Sequence, residues 1–187
     1  MRGKVSAPWS CTDGAGAAGA VGIEIDRTAF DPEDFRAFEA RLEQNLTDLE
    51  GLLNTPDFGV GPATLGAELE LYLVDAEGNP LHVNQEVHKA AADPRLTLEL
   101  NRYNLEYNLT PGPVAGGAFS ATEREILGCL ADLKGHAAAH GGKVVAIGIL
   151  PTLREADFGP GSITDRRRYH ALVAQLIERR GSNFRID

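Results

Sequence analysis

Four glutamates stand at alternating positions in two stretches of the chain, a spacing that suits the binding of cations. The first stretch, residues 65–75, reads Leu-Gly-Ala-Glu-Leu-Glu-Leu-Tyr-Leu-Val-Asp. As a β-strand it places Glu68, Glu70 and Tyr72 on one face. Three leucines fall on the other face: Leu69, Leu71 and Leu73. Two carboxylates on one face repel each other, and glutamate is disfavoured in strands, so we expect a cation to offset their charge.

The second stretch, residues 96–110, repeats this alternation and contains Glu99 and Glu106. Its leucines and Tyr107 alternate with threonine, asparagine and the two glutamates. The alternation breaks at Arg102-Tyr103, which predicts two strands joined by a tight connection. The run Pro111-Gly112-Pro113 is expected to end the second of these strands.

If all three strands share one sheet, the four glutamates lie on the same side of it. Such an oxygen-only site suits a hard cation, Mg²⁺ or Mn²⁺. Neighbouring strands lie about 4.8 Å apart, whereas alternate residues of one strand lie about 6.8 Å apart. We therefore expect Glu70 to converge with Glu99 and Glu106 on adjacent strands, and Glu68 to serve a second ion. A solvated outer face of an antiparallel sheet is the alternative interpretation.

Three motifs resemble the glutamate–cysteine ligase type 2 family of carboxylate–amine ligases, in the glutamine synthetase superfamily. They are the first acidic stretch, the run Leu-Glu-Leu-Asn-Arg-Tyr-Asn-Leu-Glu-Tyr-Asn-Leu-Thr-Pro from residue 98, and Gly-Ile-Leu-Pro-Thr-Leu from residue 148. The resemblance implies that Glu68 and Glu70 form a metal-binding Glu-x-Glu pair, with Glu99 and Glu106 as the later acids. It also implies ATP as co-substrate and a γ-glutamyl phosphate intermediate.

Two further features bear on this resemblance. Arg168-Tyr169 is similar to an element beside the family's active site, which makes Arg168 a candidate contact for an anionic substrate group. Several relatives place a metal-binding histidine near the end of the strand that precedes Pro151, but Gly148-Ile-Leu-Pro151 has none. His136 and His140 are four residues apart on a predicted helix, and we interpret them as an exposed pair and not as zinc ligands.

Composition narrows the class of partners. A formal net charge of −9 argues against nucleic acid and against an anionic membrane surface. The partners that the resemblance implies are small molecules: ATP, glutamate or a similar acid, and an amine such as cysteine. Cys11 and Cys129 show no redox or metal spacing, so a reducing cytoplasm is the expected location. No apolar run approaches the length of a membrane span.

The chain divides into a tail and one domain. Residues 1–22 are rich in Gly and Ala and are expected to be disordered. Residues 23–187 are interpreted as the N-terminal part of a single ligase catalytic domain. Asp31–Asn54 is predicted to be a helix whose apolar stripe packs on the sheet. Three more elements are predicted after the acidic stretches: a helix opened by a capping box at Ser120–Glu123, a central strand at Lys143–Leu150, and a helix at Thr164–Arg180 with a buried stripe.

These observations predict an α+β fold with an antiparallel sheet of the glutamine-synthetase type, helices on its apolar face and metals on its polar face. The predicted function is ATP-dependent carboxylate–amine ligation with Mg²⁺ or Mn²⁺. Catalytic domains of the resembled family are about twice as long, so we expect the isolated chain to be an inactive fragment. The alternatives are a non-catalytic metal- or nucleotide-binding member of the same fold and an ordinary domain with a solvated acidic face.

Overall fold

The computed structural model describes residues 24–181, which fold as helices and antiparallel strands. The predicted α+β class is confirmed. The expected tail at residues 1–22 lies outside the described residues. No helix within 24–181 combines the length and the apolar character needed to cross a membrane.

The described residues form four α-helices and six β-strands. The helices are α1 Pro32–Leu53, α2 Asn84–Ala91, α3 Ala118–Ala138 and α4 Arg167–Arg180. The strands are β1 Thr64–Leu65, β2 Glu68–Val74, β3 Leu96–Leu98, β4 Asn104–Asn108, β5 Gly112–Pro113 and β6 Lys143–Val145. Two short 3₁₀ helices, Glu155–Phe158 and Pro160–Ser162, precede α4.

The main sheet has the strand order β3-β4-β2-β6, and every neighbouring pair is antiparallel. The predicted tight connection between the two strands of the second acidic stretch is confirmed as the β3–β4 hairpin. The predicted central strand Lys143–Leu150 is wrong in length and position. Strand β6 ends at Val145, and it lies at an edge of the sheet, where it pairs with β2. Strand β4 ends at Asn108, before Pro111-Gly112-Pro113 as predicted, and Gly112 and Pro113 form a separate two-residue strand opposite β1.

One face of the sheet is apolar and carries the core. Leu71 and Leu73 of β2 lie here with Leu105 of β4 and Leu98 of β3, as the alternation predicted. Helices α2 and α3 cover this face with Val87 and with three buried side chains of α3: Cys129, Leu133 and Ala137. Burying this apolar surface against two helices is the main force that fixes which side of each strand faces outward.

The first helix does not pack as predicted. Asp31 caps it with bonds to the backbone N–H groups of Glu33 and Asp34, which confirms its start. However, α1 has no buried residue, and Phe38 at the middle of its stripe is 66% exposed. The remaining stripe residues are exposed as well: Phe35, Leu42, Leu46, Leu49, Leu52 and Leu53. The stripe was correctly identified as one apolar face, but its predicted partner, the sheet, was wrong.

Helices α3 and α4 also depart from prediction. Helix α3 begins at Ala118 after Gly117, so Ser120 lies inside its first turn and is not the cap. The apolar side chain of Leu127 on this helix is exposed. Helix α4 begins at Arg167, and its buried residue is Ala171. Its larger apolar residues Leu172, Leu176 and Ile177 are exposed, so the predicted burial of its stripe was wrong. Gly181 ends α4 with a left-handed φ, as predicted.

Candidate functional site

The polar face of the sheet carries a row of side chains that crosses three strands. Glu70 of β2 lies directly opposite Glu106 of β4, and Glu106 lies opposite Thr97 of β3. Directly paired residues of antiparallel strands project to the same face. The structure therefore brings two of the predicted metal ligands side by side.

The other two predicted ligands border this row. Glu68 lies two residues before Glu70 on β2 and pairs with Asn108. Glu99 follows β3 directly, beyond the last paired residue, Leu98. Because β4 lies between β3 and β2, the expectation that Glu99 approaches Glu70 from an adjacent strand was wrong.

Glu106 is a buried carboxylate with defined donors. Its side chain is 8% exposed. Its Oε1 accepts a hydrogen bond from Thr97 Oγ1 at 3.1 Å and another from Asn108 Nδ2 at 2.9 Å. A solvated outer face does not bury a carboxylate in this way, since removing it from water carries a large free-energy cost. The burial of Glu106 therefore argues against the solvated-face alternative at β4, whereas Glu68 and Glu70 on β2 are exposed.

The negative charge of Glu106 acts on two neighbouring carboxylates, Glu70 and Glu99. Partial burial raises the pKa of Glu70 above its ordinary value, and the charges of Glu106 and Glu68 raise it further. Burial also raises the pKa of Glu99, with added repulsion from Glu106 and Glu70. The backbone N–H of Leu100 and the charge of Arg168 oppose this rise in Glu99. Both shifts mean that burial, together with neighbouring negative charge, disfavours the ionised form of these two carboxylates.

The donor set fits a hard cation, but the side chains do not form a closed ligand shell. Carboxylate oxygens are the ligands that Mg²⁺ and Mn²⁺ prefer. Within residues 24–181, no group of three or more histidine, cysteine or acidic side chains is arranged as it would be around one metal ion. What the fold supplies is a facing pair of glutamates with two further glutamates in their field.

An open cleft of about 400 Å³ adjoins the row where α4 passes over β3. Arg168 Nη2 donates to the Tyr169 hydroxyl at 2.7 Å, and the guanidinium lies 4.6 Å from the centre of that ring. The Tyr169 hydroxyl in turn donates to the carbonyl of Leu98, which ties α4 to β3. The cleft is lined by Thr97, Glu99, Glu106, Arg168, Tyr169 and Leu172. The predicted substrate-binding arginine thus faces the same cleft as two of the predicted metal ligands.

The two candidate histidines lie elsewhere, His136 on α3 and His140 in the turn that follows it. His140 is exposed, as predicted, whereas His136 is half-buried and lines a separate cavity of about 200 Å³ with Tyr107 and Cys129. The interpretation of both as an exposed pair is therefore wrong for His136. The Cys129 thiol is buried, and its burial raises its pKa to about 11, which fits an inert core thiol.

Sequence reasoning did not assign roles to three residues of this site. Thr97 and Asn108 hold the carboxylate of Glu106, and Tyr169 anchors α4 to the carbonyl of Leu98. For Thr97 and Asn108 a signal existed, because both fall on the same alternating face as the glutamates. Tyr169 carried no such signal, since its partner is a backbone carbonyl on a distant strand.

Comparison with known proteins identifies a family whose model matches this chain. The model of glutamate–cysteine ligase family 2 matches residues 64–183, which include all four glutamates and Arg168. A glutamate–cysteine ligase of Haloferax volcanii is 35% identical over 98 residues, which are 49% of this chain and 26% of the relative. The match therefore spans about a quarter of that relative's length. No solved structure matches the chain.

Proposed function

The chain belongs to glutamate–cysteine ligase family 2, and on this premise we propose that it serves an ATP-dependent ligation of a carboxylate to an amine. The acid is glutamate or a close analogue, and the amine is a small molecule such as cysteine. The observation that carries the proposal is the buried carboxylate of Glu106 directly opposite Glu70. An arrangement that costs free energy in the absence of a cation is explained if a cation belongs there.

The four glutamates are proposed to hold metal ions and not to transfer protons. Glu70 and Glu106 face each other and form the centre of the site, with Glu99 on the cleft side and Glu68 further along β2. Mg²⁺ or Mn²⁺, when bound there, would neutralise charge on the phosphoryl group in transfer. Thr97 and Asn108 keep the Glu106 carboxylate oriented, since both donate to its Oε1.

The reaction that follows is a two-step acyl transfer. The carboxylate of the acid attacks the γ-phosphorus of ATP, which gives an acyl phosphate and ADP. The amine then attacks the acyl carbon, an amide forms, and phosphate leaves with its bonding electrons while the nitrogen loses a proton. The chain's part in both steps is to hold the reacting groups together and to supply compensating charge.

Arg168 is proposed to bind an anionic group of the acid substrate. Its guanidinium lines the cleft beside Glu99 and is positioned by its contact with the Tyr169 ring and by its hydrogen bond to the Tyr169 hydroxyl. A planar guanidinium in a fixed position recognises a carboxylate through paired hydrogen bonds, which lysine does not reproduce.

Because ATP and glutamate are abundant cytoplasmic metabolites, we place the protein in the cytoplasm.

The test is release of ADP that depends on all three substrates. The complete gene product is given ATP, Mg²⁺, glutamate and cysteine, and ADP is measured with each component omitted in turn. The proposal expects release only in the complete mixture, and a loss of more than tenfold in Glu70→Gln or Glu106→Gln but not in His140→Gln. Binding of Mg-ATP without turnover of any acid–amine pair would instead favour a non-catalytic member of the family.

A further inference from the structure

A buried polar cluster lies beneath the turn that carries Glu99. Its two side chains are Asn84, the first residue of α2, and Thr164, which lies just before α4. Asn84 is 1% exposed and Thr164 is 0% exposed. The amide Nδ2 of Asn84 donates to Thr164 Oγ1 at 2.9 Å, and Thr164 Oγ1 donates to the carbonyl of Glu99 at 2.6 Å.

The same amide also holds the hairpin turn. Nδ2 of Asn84 lies 3.1 Å from the carbonyl oxygen of Asn101 and 3.1 Å from that of Asn104. Its Oδ1 is buried without a partner in residues 24–181. The reversed amide would set Oδ1 against two carbonyl oxygens, so the observed orientation is the favourable one. The two N–H bonds of this amide are shared among three acceptors while its own Oδ1 stays unsatisfied, which is costly for a core that needed only packing.

Backbone bonds fix the turn on both sides. The N–H of Thr164 donates to the carbonyl of Leu100 at 2.8 Å, and the N–H of Arg102 donates to the carbonyl of Ser162 at 2.8 Å. The N–H of Asn84 donates to the carbonyl of Arg102 at 3.0 Å. The turn between the two glutamates of the hairpin is therefore fixed by elements distant in sequence and not by the sheet alone.

We propose that Thr164 and Asn84 are positioning residues that set Glu99 relative to Glu106 and Arg168; this inference rests on the proposed function. Glu99 lies beyond the last pair of the β3–β4 ladder, so sheet bonds do not fix its backbone. The Thr164 hydroxyl replaces the missing ladder contact. Because Thr164 lies three residues before Arg167, the first residue of α4, the same hydroxyl also restrains the segment that leads into the helix carrying Arg168.

Three variants distinguish a role of Thr164 in positioning Glu99 from a role in fold stability alone. Thr164→Val keeps the shape of the side chain but removes the hydroxyl, and Thr164→Ser keeps the hydroxyl. Val87→Ala lowers stability from the opposite, apolar face of the sheet, where Val87 is fully buried. If the cluster only stabilises the fold, Thr164→Val and Val87→Ala behave alike once their stabilities are matched.

The experiment titrates each variant with Mn²⁺ alone and follows amide hydrogen exchange of the metal-free proteins. We expect Thr164→Val to bind Mn²⁺ at least tenfold more weakly than wild type, while Thr164→Ser and Val87→Ala bind within about twofold. We also expect the Asn104 amide and the amide at position 164 to exchange at least tenfold faster in Thr164→Val than in Val87→Ala.

The outcomes distinguish the two proposals. Wild-type affinity in Thr164→Val, or an equal loss in Val87→Ala, overturns the positioning role. If wild type itself binds no Mn²⁺, the metal site of the proposed function fails, and exchange alone decides the inference. Faster local exchange in Thr164→Val then retains Thr164 as the residue that fixes Glu99, and equal exchange in the two variants overturns it.

Discussion

Glu70 and Glu106 lie directly opposite each other in the β2–β4 pair, and neither strand places a positive side chain between them. Like charges at directly paired positions destabilise an antiparallel sheet. Glu106 is also buried, so water screens this repulsion less than it would at the surface. The pair is thus a place where the fold gives up stability, and under the proposed function a bound cation would restore it.

The first prediction concerns Glu70→Gln. The amide removes one of two facing charges, so the metal-free variant is expected to melt at the same temperature as wild type or higher at pH 7.5. Wild type is expected to gain thermal stability from millimolar Mn²⁺, because a ligand selective for the native state stabilises it by mass action. The variant should lose most of that gain. Thermal melts with and without MnCl₂ measure both quantities.

The control for this prediction is Glu77→Gln. Glu77 lies in the exposed turn that closes β2, where its backbone N–H bonds the side chain of Asp75. The change in charge is identical, but the position is outside the acidic row. Equal Mn²⁺ responses of the two variants would remove the case for a site at Glu70.

A second prediction concerns pH. The pKa values of Glu70 and Glu99 are raised by burial and by neighbouring acids, so the folded state binds their protons more tightly than the unfolded state. Their contribution to stability is fully present below the ordinary value of 4.5 and is lost as pH rises through the raised values. Metal-free wild type should therefore gain stability relative to Glu70→Gln as pH falls from 8 to 5.

Metal binding should show the opposite trend, because Mn²⁺ competes with protons for the same carboxylates. The stabilisation of wild type by Mn²⁺ is expected to shrink as pH falls from 8 to 5. Asp75 and Asp93 do not contribute to the pH dependence between pH 8 and 5. Their pKa values are lowered, so their contributions to the stability of the fold are lost only below the ordinary value of 3.8. Denaturant unfolding at pH 5, 6.5 and 8 measures both trends, and parallel trends would contradict the assignment.

The sheet could be predicted from sequence because its signal is local. Period-two alternation assigns each residue of β2 and β4 to a face, and burial of leucines on one face fixes that assignment. Pairing of Glu70 with Glu106 required the register of β2 against β4 as well, which alternation within each strand does not give. The position of Glu99 was misjudged because alternation does not give the order of strands in a sheet.

Helix partners could not be predicted in the same way. The stripe of α1 identifies an apolar face, but a stripe does not say which surface it contacts. Leu42 and Leu49 on α1 remain exposed, as do Leu172 and Leu176 on α4. The face of α3 was better predicted because the buried Leu133 and Cys129 meet leucines of the sheet already assigned to the apolar side.

The positioning cluster had no local signal at all. Thr164 bonds the carbonyl of a residue 65 positions earlier, and Asn84 bonds a side chain 80 positions later. Side chain-to-backbone bonds of this kind depend on how loops meet in three dimensions. The buried role of Asn84 beneath the turn could not be predicted from the residues that surround it in the sequence.

A third prediction concerns the stability of the polar contacts around Glu125. Its Oε1 accepts from Arg95 Nη1 at 2.8 Å and from the Thr110 hydroxyl at 2.8 Å, and the N–H of Thr110 donates to the same carboxylate at 3.1 Å. Glu125→Ala leaves these donors without their partner and is expected to cost about 1–2 kcal/mol. Glu123→Ala, on the exposed side of α3, should change unfolding by less than about 0.5 kcal/mol. Equal effects of the two changes in denaturant unfolding would contradict a joining role for Glu125.

A fourth prediction concerns residues 1–22. They contain little aliphatic surface, so their removal is expected to leave the melting temperature within experimental error. The deletion must stop before Glu24, because its Oε1 accepts the backbone N–H of Arg168 at the start of α4. A loss of several degrees in a thermal melt of the shortened chain would show that Val5, Trp9 or Val21 contributes to the core.

The last prediction concerns Gly142, which is buried where the chain passes from α3 into β6. A Cβ atom there would stand 2.5 Å from Leu81 Cδ2, 3.3 Å from the carbonyl oxygen of Val74 and 3.4 Å from that of Ala137. The leucine side chain can move, but the two carbonyls belong to β2 and α3. Gly142→Ala is therefore expected to destabilise by about 1–3 kcal/mol through overpacking, more than the gain from restricting the unfolded chain. Gly148→Ala is the matched control, since a Cβ at that position meets nothing within 4 Å. Denaturant unfolding of both variants measures the difference, and a Gly142→Ala protein as stable as Gly148→Ala would show that β6 is not packed tightly between α3 and β2.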